Sequence, residues 1–162
     1  MNILKKCNIH FTTYLMLLIA IMCGYFKPII YLYLIVVFHE LGHIITISLF
    51  KYSIISINIY PFGGITIIDK PLNASIIKDF FIAISGFIMQ LFLWLVIKDG
   101  LFLFYNKVIF LFNLLPIIPL DGSHVLKDLL DIFLPFKKSL YIYYIFSFGC
   151  LFLFFIYQLV DR

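Results

Sequence analysis

The residues best suited to chemistry lie in one run, His39-Glu40-Leu41-Gly42-His43, which holds the only glutamate of the 162-residue chain. Residues four apart lie on the same face of a helix, so His39 and His43 can present two imidazole nitrogens to one point. Neutral imidazoles are common zinc ligands, and a glutamate beside the metal's open position can act as a general base. The spacing predicts a catalytic site with one zinc ion per chain.

A catalytic zinc site requires a third protein ligand, and five residues are candidates: Asp69, Asp79, Asp121, His124 and Asp128. Asp121 is favoured because Pro116 and Pro119 interrupt the apolar segment that precedes it. A broken helix is tolerated at membrane depth only where protein or a wet cavity contacts the freed backbone groups. The break therefore indicates a site inside a helical bundle.

The composition is that of an integral membrane protein. Hydrophobic residues make up 64% of the chain and charged residues 12%, whereas a soluble domain carries about 25% charged residues. No polar stretch is long enough for a separate soluble domain, so residues 1–162 are expected to form a single transmembrane domain. The net charge of +4 is spread over short loops, which favours the lipid bilayer and not nucleic acid as a partner.

The expected fold is an all-α polytopic membrane protein with five to six transmembrane helices. A helix needs about 20 apolar residues to cross the hydrocarbon core. Five segments approach or exceed that length: 11–26, 28–50, 80–97, 101–120 and 139–160. The amphipathic stretch 121–138 is expected at the interface, and a sixth span results if residues 122–136 enter the bilayer.

A short β-hairpin is expected between the second and third spans. Within residues 54–60, apolar and polar side chains alternate from Ile55 onward. Residues 61–64 read Pro-Phe-Gly-Gly, and residues 65–68 are β-branched. Because this hairpin is so apolar, we expect it to be associated with the membrane, with its backbone in contact with protein or with a water-filled cavity. The alternative is an ordinary surface hairpin.

The lysines predict the orientation of this multi-pass protein in the cell membrane. They cluster before the first span at Lys5 and Lys6, in the 51–78 loop, and after the fourth span. The positive-inside rule therefore places the N-terminus and the active-site side in the cytoplasm.

Three motifs together resemble the site-2 protease family of intramembrane zinc metalloproteases. They are HELGH inside a span, the Pro61–Gly64 turn after it, and the run Asn113-x-x-Pro-x-x-Pro-Leu-Asp-Gly122 near the end of a later span. The resemblance covers about residues 28–125, which would form the core. The compact arrangement is most similar to the stage IV sporulation branch, whose members cut a membrane-tethered sigma-factor precursor.

The resemblance implies a role for each motif residue. His39, His43 and Asp121 would bind zinc, Glu40 would be the general base, and Asn113 would help in the active site. The glycines of the hairpin, Gly63 and Gly64, are interpreted with Asn113 as substrate-positioning residues. Where many members have a small-Gly-Pro-x-x-Asn run, this chain has Ser85-Gly86-Phe87-Ile88-Met89-Gln90, and its small residues are interpreted as helix-packing positions.

The predicted function is intramembrane zinc endopeptidase activity on a membrane-embedded or membrane-tethered protein, with a membrane regulator as a further partner. Because helical substrates hide their peptide bonds, the substrate would unwind and pair with a hairpin strand. The rival hypothesis is a non-catalytic membrane protein or carrier that binds a divalent metal. A carrier needs no general base next to the first histidine and usually shows internal repeats, which this chain lacks.

Overall fold

A computed structural model of the protein describes residues 7–61, 63–71 and 74–160. Lys5, Lys6 and Phe62, used above for orientation and for the turn, lie outside these ranges. Within them the chain forms three strands and six helices, which confirms an all-α fold with a β-hairpin. In chain order they are β1 Cys7–Ile9, α1 Phe11–Met22, α2 Phe26–Leu49, β2 Ser53–Tyr60, β3 Gly63–Asp69, α3 Ile76–Val96, α4 Gly100–Leu114, α5 Asp121–Phe133 and α6 Phe136–Val160.

Three of the described helices, α2, α3 and α6, are long and apolar enough to cross a membrane. The apolar helices α1 and α4 have 12 and 15 residues, which at 1.5 Å per residue gives lengths of about 18 and 22 Å. A hydrocarbon core is about 30 Å thick. The five expected spans therefore appear as three full-length helices and two shorter ones, as expected of a membrane protein.

The fourth expected span, 101–120, is shorter in the structure because α4 ends at Leu114. Leu115, which precedes Pro116, has an extended backbone with φ of −62° and ψ of 136°. Proline disfavours the helical conformation of the residue before it and supplies no N–H to the helix. The chain becomes helical again only at Asp121, so the carboxylate starts α5.

The sheet has one strand more than the sequence predicted. β1 pairs in parallel with β2, which pairs antiparallel with β3, so that β2 lies in the centre. A three-residue strand leaves almost no periodic signal, because tertiary pairing alone makes it a strand. Gly63 and Gly64, expected in the turn, belong to β3 and pair with Tyr60 and Ile59. One edge of β3 has no partner strand among the described residues.

The helices α2 and α3 pack closely, and this contact positions the HELGH run. A Cβ added at Gly42 would lie 2.4 Å from the carbonyl oxygen of Ser85, so only glycine permits this approach. A buried hydrophobic cluster also joins these helices, and it consists of Ile35 of α2, Leu93 of α3 and Phe102 of α4. The face of α2 that bears the histidines is thereby held against α3.

Candidate metal centre

Side chains from α2 and from the start of α5 converge on one point. His39 Nε2 lies 2.6 Å from Asp121 Oδ2, and the two histidine Nε2 atoms are 3.1 Å apart. His43 Nε2 lies 3.5 Å from the same carboxylate oxygen. Both histidines are buried. No other described residues form such a group of metal-ligating side chains.

The three separations fit a single zinc ion. Bond lengths of about 2.0 Å in a tetrahedral site place neighbouring ligand atoms about 3.3 Å apart. The observed values of 2.6, 3.1 and 3.5 Å lie on both sides of that spacing. Two imidazoles and one carboxylate are a donor set typical of catalytic zinc, which keeps its fourth position open.

Hydrogen bonding and charge favour the ligand forms of these side chains. His43 Nδ1 lies 2.8 Å from the carbonyl oxygen of Ile82, to which it donates, so the Nε2 lone pair faces the metal position. Burial would raise the pKa of Asp121, but the neighbouring imidazoles of His39 and His43 outweigh that effect and hold the pKa below its usual range. The ionised carboxylate is the form that can bind zinc.

Gly86 of α3 forms the wall directly opposite the two histidines. A Cβ at this position would lie 2.5 Å from His39 Cε1 and 2.6 Å from His43 Nε2. Both distances are far below van der Waals contact, so a side chain here would displace the imidazoles. From the sequence, Gly86 is predicted to be a helix-packing residue, and in the structure its packing partners are the candidate metal ligands His39 and His43. Only the tertiary contact between α2 and α3 reveals this.

Glu40 is held by the hairpin. Its Oε1 accepts a hydrogen bond of 3.0 Å from the backbone N–H of Gly64. A Cβ at Gly64 would lie 2.6 Å from Glu40 Cδ, so glycine is required for this approach. From the sequence, Gly64 is predicted to be a substrate-positioning residue, and the structure adds a direct contact with the carboxylate of Glu40.

Two cavities meet at the metal centre, and together they form a groove along β3. Cavity A, of about 290 Å³, is mostly apolar and includes Asn113 and Gly63 in its lining. Cavity B, of about 280 Å³, extends toward α3 and α5. The residues shared by both linings are Glu40, Gly64, Ile65, Pro119 and Asp121.

The five candidates for the third ligand are placed differently. Asp121 joins the histidines, whereas Asp79, His124 and Asp128 line cavity B without joining the group of metal-ligating side chains. Asp69 is exposed at the end of β3. The helix break at Pro116 therefore correctly predicted that Asp121 is the residue that the fold brings next to His39 and His43.

Comparisons with known proteins agree with this geometry. The sequence profile described as Peptidase family M50 matches residues 27–104. The chain is 30% identical over 151 residues to stage IV sporulation protein FB of Bacillus subtilis (strain 168), covering 86% of this chain and 52% of that protein. Its fold is similar to the solved site-2 protease from Methanocaldococcus jannaschii, with a TM-score of 0.62, 26% identity, and coverage of 96% of this chain and 81% of that structure.

These findings define the fold as that of a membrane-embedded metallopeptidase, with its candidate metal ligands on two helices. In sequence and fold the chain is similar to the site-2 proteases, Peptidase family M50. It spans about half the length of the sporulation protein that it matches.

Proposed function

We propose that the protein is an intramembrane zinc endopeptidase that cleaves a membrane-embedded or membrane-tethered protein. The observation that carries this proposal is the position of Glu40, which lies in one groove with His39, His43 and Asp121 and within reach of the open edge of β3. A metal carrier would have no use for a carboxylate that is fixed beside the metal but outside the ligand group.

His39, His43 and Asp121 would hold the zinc ion. When bound, zinc supplies a Lewis acid that polarises the scissile carbonyl and lowers the pKa of water. Glu40 takes the proton of the attacking water and returns it to the leaving amine. Because Gly64 N–H bonds to Oε1 of Glu40, the other carboxylate oxygen, Oε2, is left for this transfer.

The free edge of β3 offers the substrate backbone a place to pair. In an antiparallel ladder, residues alternate between bonding the partner strand and facing away from it. The N–H of Gly64 bonds to Glu40 and not to β2, so Thr66 and Ile68, in the same alternation, direct their backbone groups to the free edge. A substrate strand added there would run beside the metal centre.

The orientation and the substrate class belong to the same proposal. Residues of the 51–78 loop line the groove, and the lysines of this loop predict a cytoplasmic position. A sigma-factor precursor during sporulation is the substrate that fits the similarity to the sporulation protein. Co-expression of the chain with tethered precursors, with and without a zinc chelator, tests this assignment.

Replacing Asp121 with asparagine should lower cleavage strongly, because a neutral amide is a poor zinc ligand. We expect a loss of at least about 100-fold in kcat/KM, together with reduced zinc content of the purified variant. Asp69→Asn is the matched control, since Asp69 is exposed and outside both cavities. If Asp69→Asn were the inactive variant, the third ligand would instead come from the hairpin.

Replacing Thr66 with proline should slow cleavage without releasing zinc. Proline removes the N–H that faces the free edge, and the ladder bonds to β2 come from the neighbouring residues. Proline within Ile55–Ile59 would not test this idea, because β2 is central in the sheet. Thr66→Val keeps the N–H and is the control. Cleavage by Thr66→Pro at the rate of Thr66→Val would exclude pairing at this edge.

A further inference from the structure

Cavity B carries charged residues that the chemistry of the metal centre does not use. It lies between β3, the first two turns of α3 and α5, and adjoins the candidate metal centre at Glu40 and Asp121. Its lining also includes Lys70, Asp79, His124 and Asp128. We call Thr66, Asp79 and Asp128, with the space between them, the acidic subsite.

The lining of cavity B has more carboxylates than lysines. Asp79 Oδ2 pairs with Lys70 Nζ at 2.8 Å. Asp128 has no cation within ion-pairing distance among the described residues. The lysine next to it in the chain, Lys127, is paired with Asp131 at 2.6 Å. Partial burial and the charge of Asp79 raise the pKa of Asp128 to about 6. The lining of cavity B thus includes the carboxylates of Asp79 and Asp128, and its one lysine, Lys70, is paired with Asp79.

Two buried polar atoms of the acidic subsite lack hydrogen bonds. Asp79 Oδ1 and Thr66 Oγ1 are both inaccessible and have no partner among the described residues. Lys70 engages only the other oxygen of Asp79, Oδ2. Buried polar groups are normally paired, and leaving a carboxylate oxygen unpaired is costly. The carboxylate oxygen of Asp79 can only accept a hydrogen bond, and the hydroxyl of Thr66 can accept as well as donate, so a single donor suits both atoms.

The acidic subsite lies where a substrate side chain would arrive. Thr66 and Ile68 both line cavity B, and these are the residues whose backbone groups face the free edge of β3. Side chains of a strand paired there would project from it every second residue. Cavity A, on the other side of the metal centre, is mostly apolar. The two sides of the groove would therefore accept different side chains.

We propose that the acidic subsite binds a lysine or arginine side chain of the substrate, close to the scissile bond. Ammonium and guanidinium groups carry several donors and no acceptor, which suits two carboxylates and a hydroxyl oxygen. Basic residues are also frequent next to the cytoplasmic ends of membrane spans. This inference rests on the proposed protease function and adds a specificity determinant to it.

The test measures peptide binding, so that it does not depend on turnover. The protein is the full chain carrying Glu40→Gln, zinc-loaded in detergent. The probes are fluorescent nine-residue peptides of valine and serine with one arginine moved along the sequence, each with a glutamine counterpart. We expect arginine at one position to bind about tenfold more tightly than glutamine. Adding Asp128→Asn should abolish that preference, whereas adding Asp69→Asn should retain it.

A charge reversal separates recognition from a structural role. Asp128→Lys should favour a glutamate peptide over the arginine peptide at the same position, which a merely misfolded variant would not do. Absence of an arginine preference at every position, including absence of binding, would overturn the subsite. Cleavage by the zinc-loaded chain with Glu40 intact reports separately on the protease. If the peptides bind with the expected preference but the zinc-loaded chain cleaves no membrane-tethered precursor, the proposed function fails and the subsite stands.

Discussion

Replacing Glu40 with glutamine is expected to abolish cleavage while one zinc ion per chain remains bound. Glutamine has the same shape and keeps an oxygen that can accept the Gly64 N–H, so the hairpin contact at 3.0 Å can persist. It cannot take a proton from water. Loss of a general base alone typically lowers the rate by about 10²- to 10⁴-fold.

Zinc content and single-turnover cleavage should be measured on the same preparation of this variant. A fall in kcat with little change in KM would show that the interaction acts in the transition state. Glu40→Asp provides a second comparison, because it keeps the charge but shortens the side chain and weakens its reach to Gly64. Turnover near that of the unmodified chain in Glu40→Gln would assign the base to another residue or favour the metal-carrier hypothesis.

Replacing Gly86 with alanine is expected to remove the metal, although Gly86 supplies no ligand. The added methyl would lie 2.5 Å from His39 Cε1 and 2.6 Å from His43 Nε2, so the imidazoles or the α3 backbone must shift. A zinc site requires its ligand atoms to lie within about 0.2 Å of their usual bond lengths, so a shift of both imidazoles weakens binding. We expect a loss of zinc and activity comparable to that of His39→Ala or His43→Ala, in which a ligand is deleted.

The matched control is Gly149→Ala in α6, where an added Cβ would meet nothing within 4 Å. Both changes replace glycine with alanine inside a helix, so their effects on helix propensity are similar. Metal analysis of the purified variants, together with their helical content by circular dichroism, separates a local effect from unfolding. Full zinc occupancy in Gly86→Ala would show that α2 and α3 can separate without disturbing the ligands.

The sequence alone predicted the class of the protein and the residues of its candidate metal centre. A single glutamate between two histidines at helical spacing, inside an apolar segment, is sufficient to predict zinc and a base, because the i, i+4 geometry is local. Pro116 and Pro119 likewise predicted a helix break from local backbone sterics. The break placed Asp121 at the start of α5, where the structure joins it to the histidines.

Only the tertiary structure decided what surrounds the metal. Gly86 and Gly64 look like ordinary glycines in sequence, and their importance comes from elements that are distant along the chain. The central position of β2 depends on β1, a strand of three residues that precedes it by more than 40 positions. The charges of Asp79 and Asp128 meet in one cavity because α3 and α5 pack side by side. Such contacts arise from close packing between helices and strands, which leaves no periodic signal in any single segment.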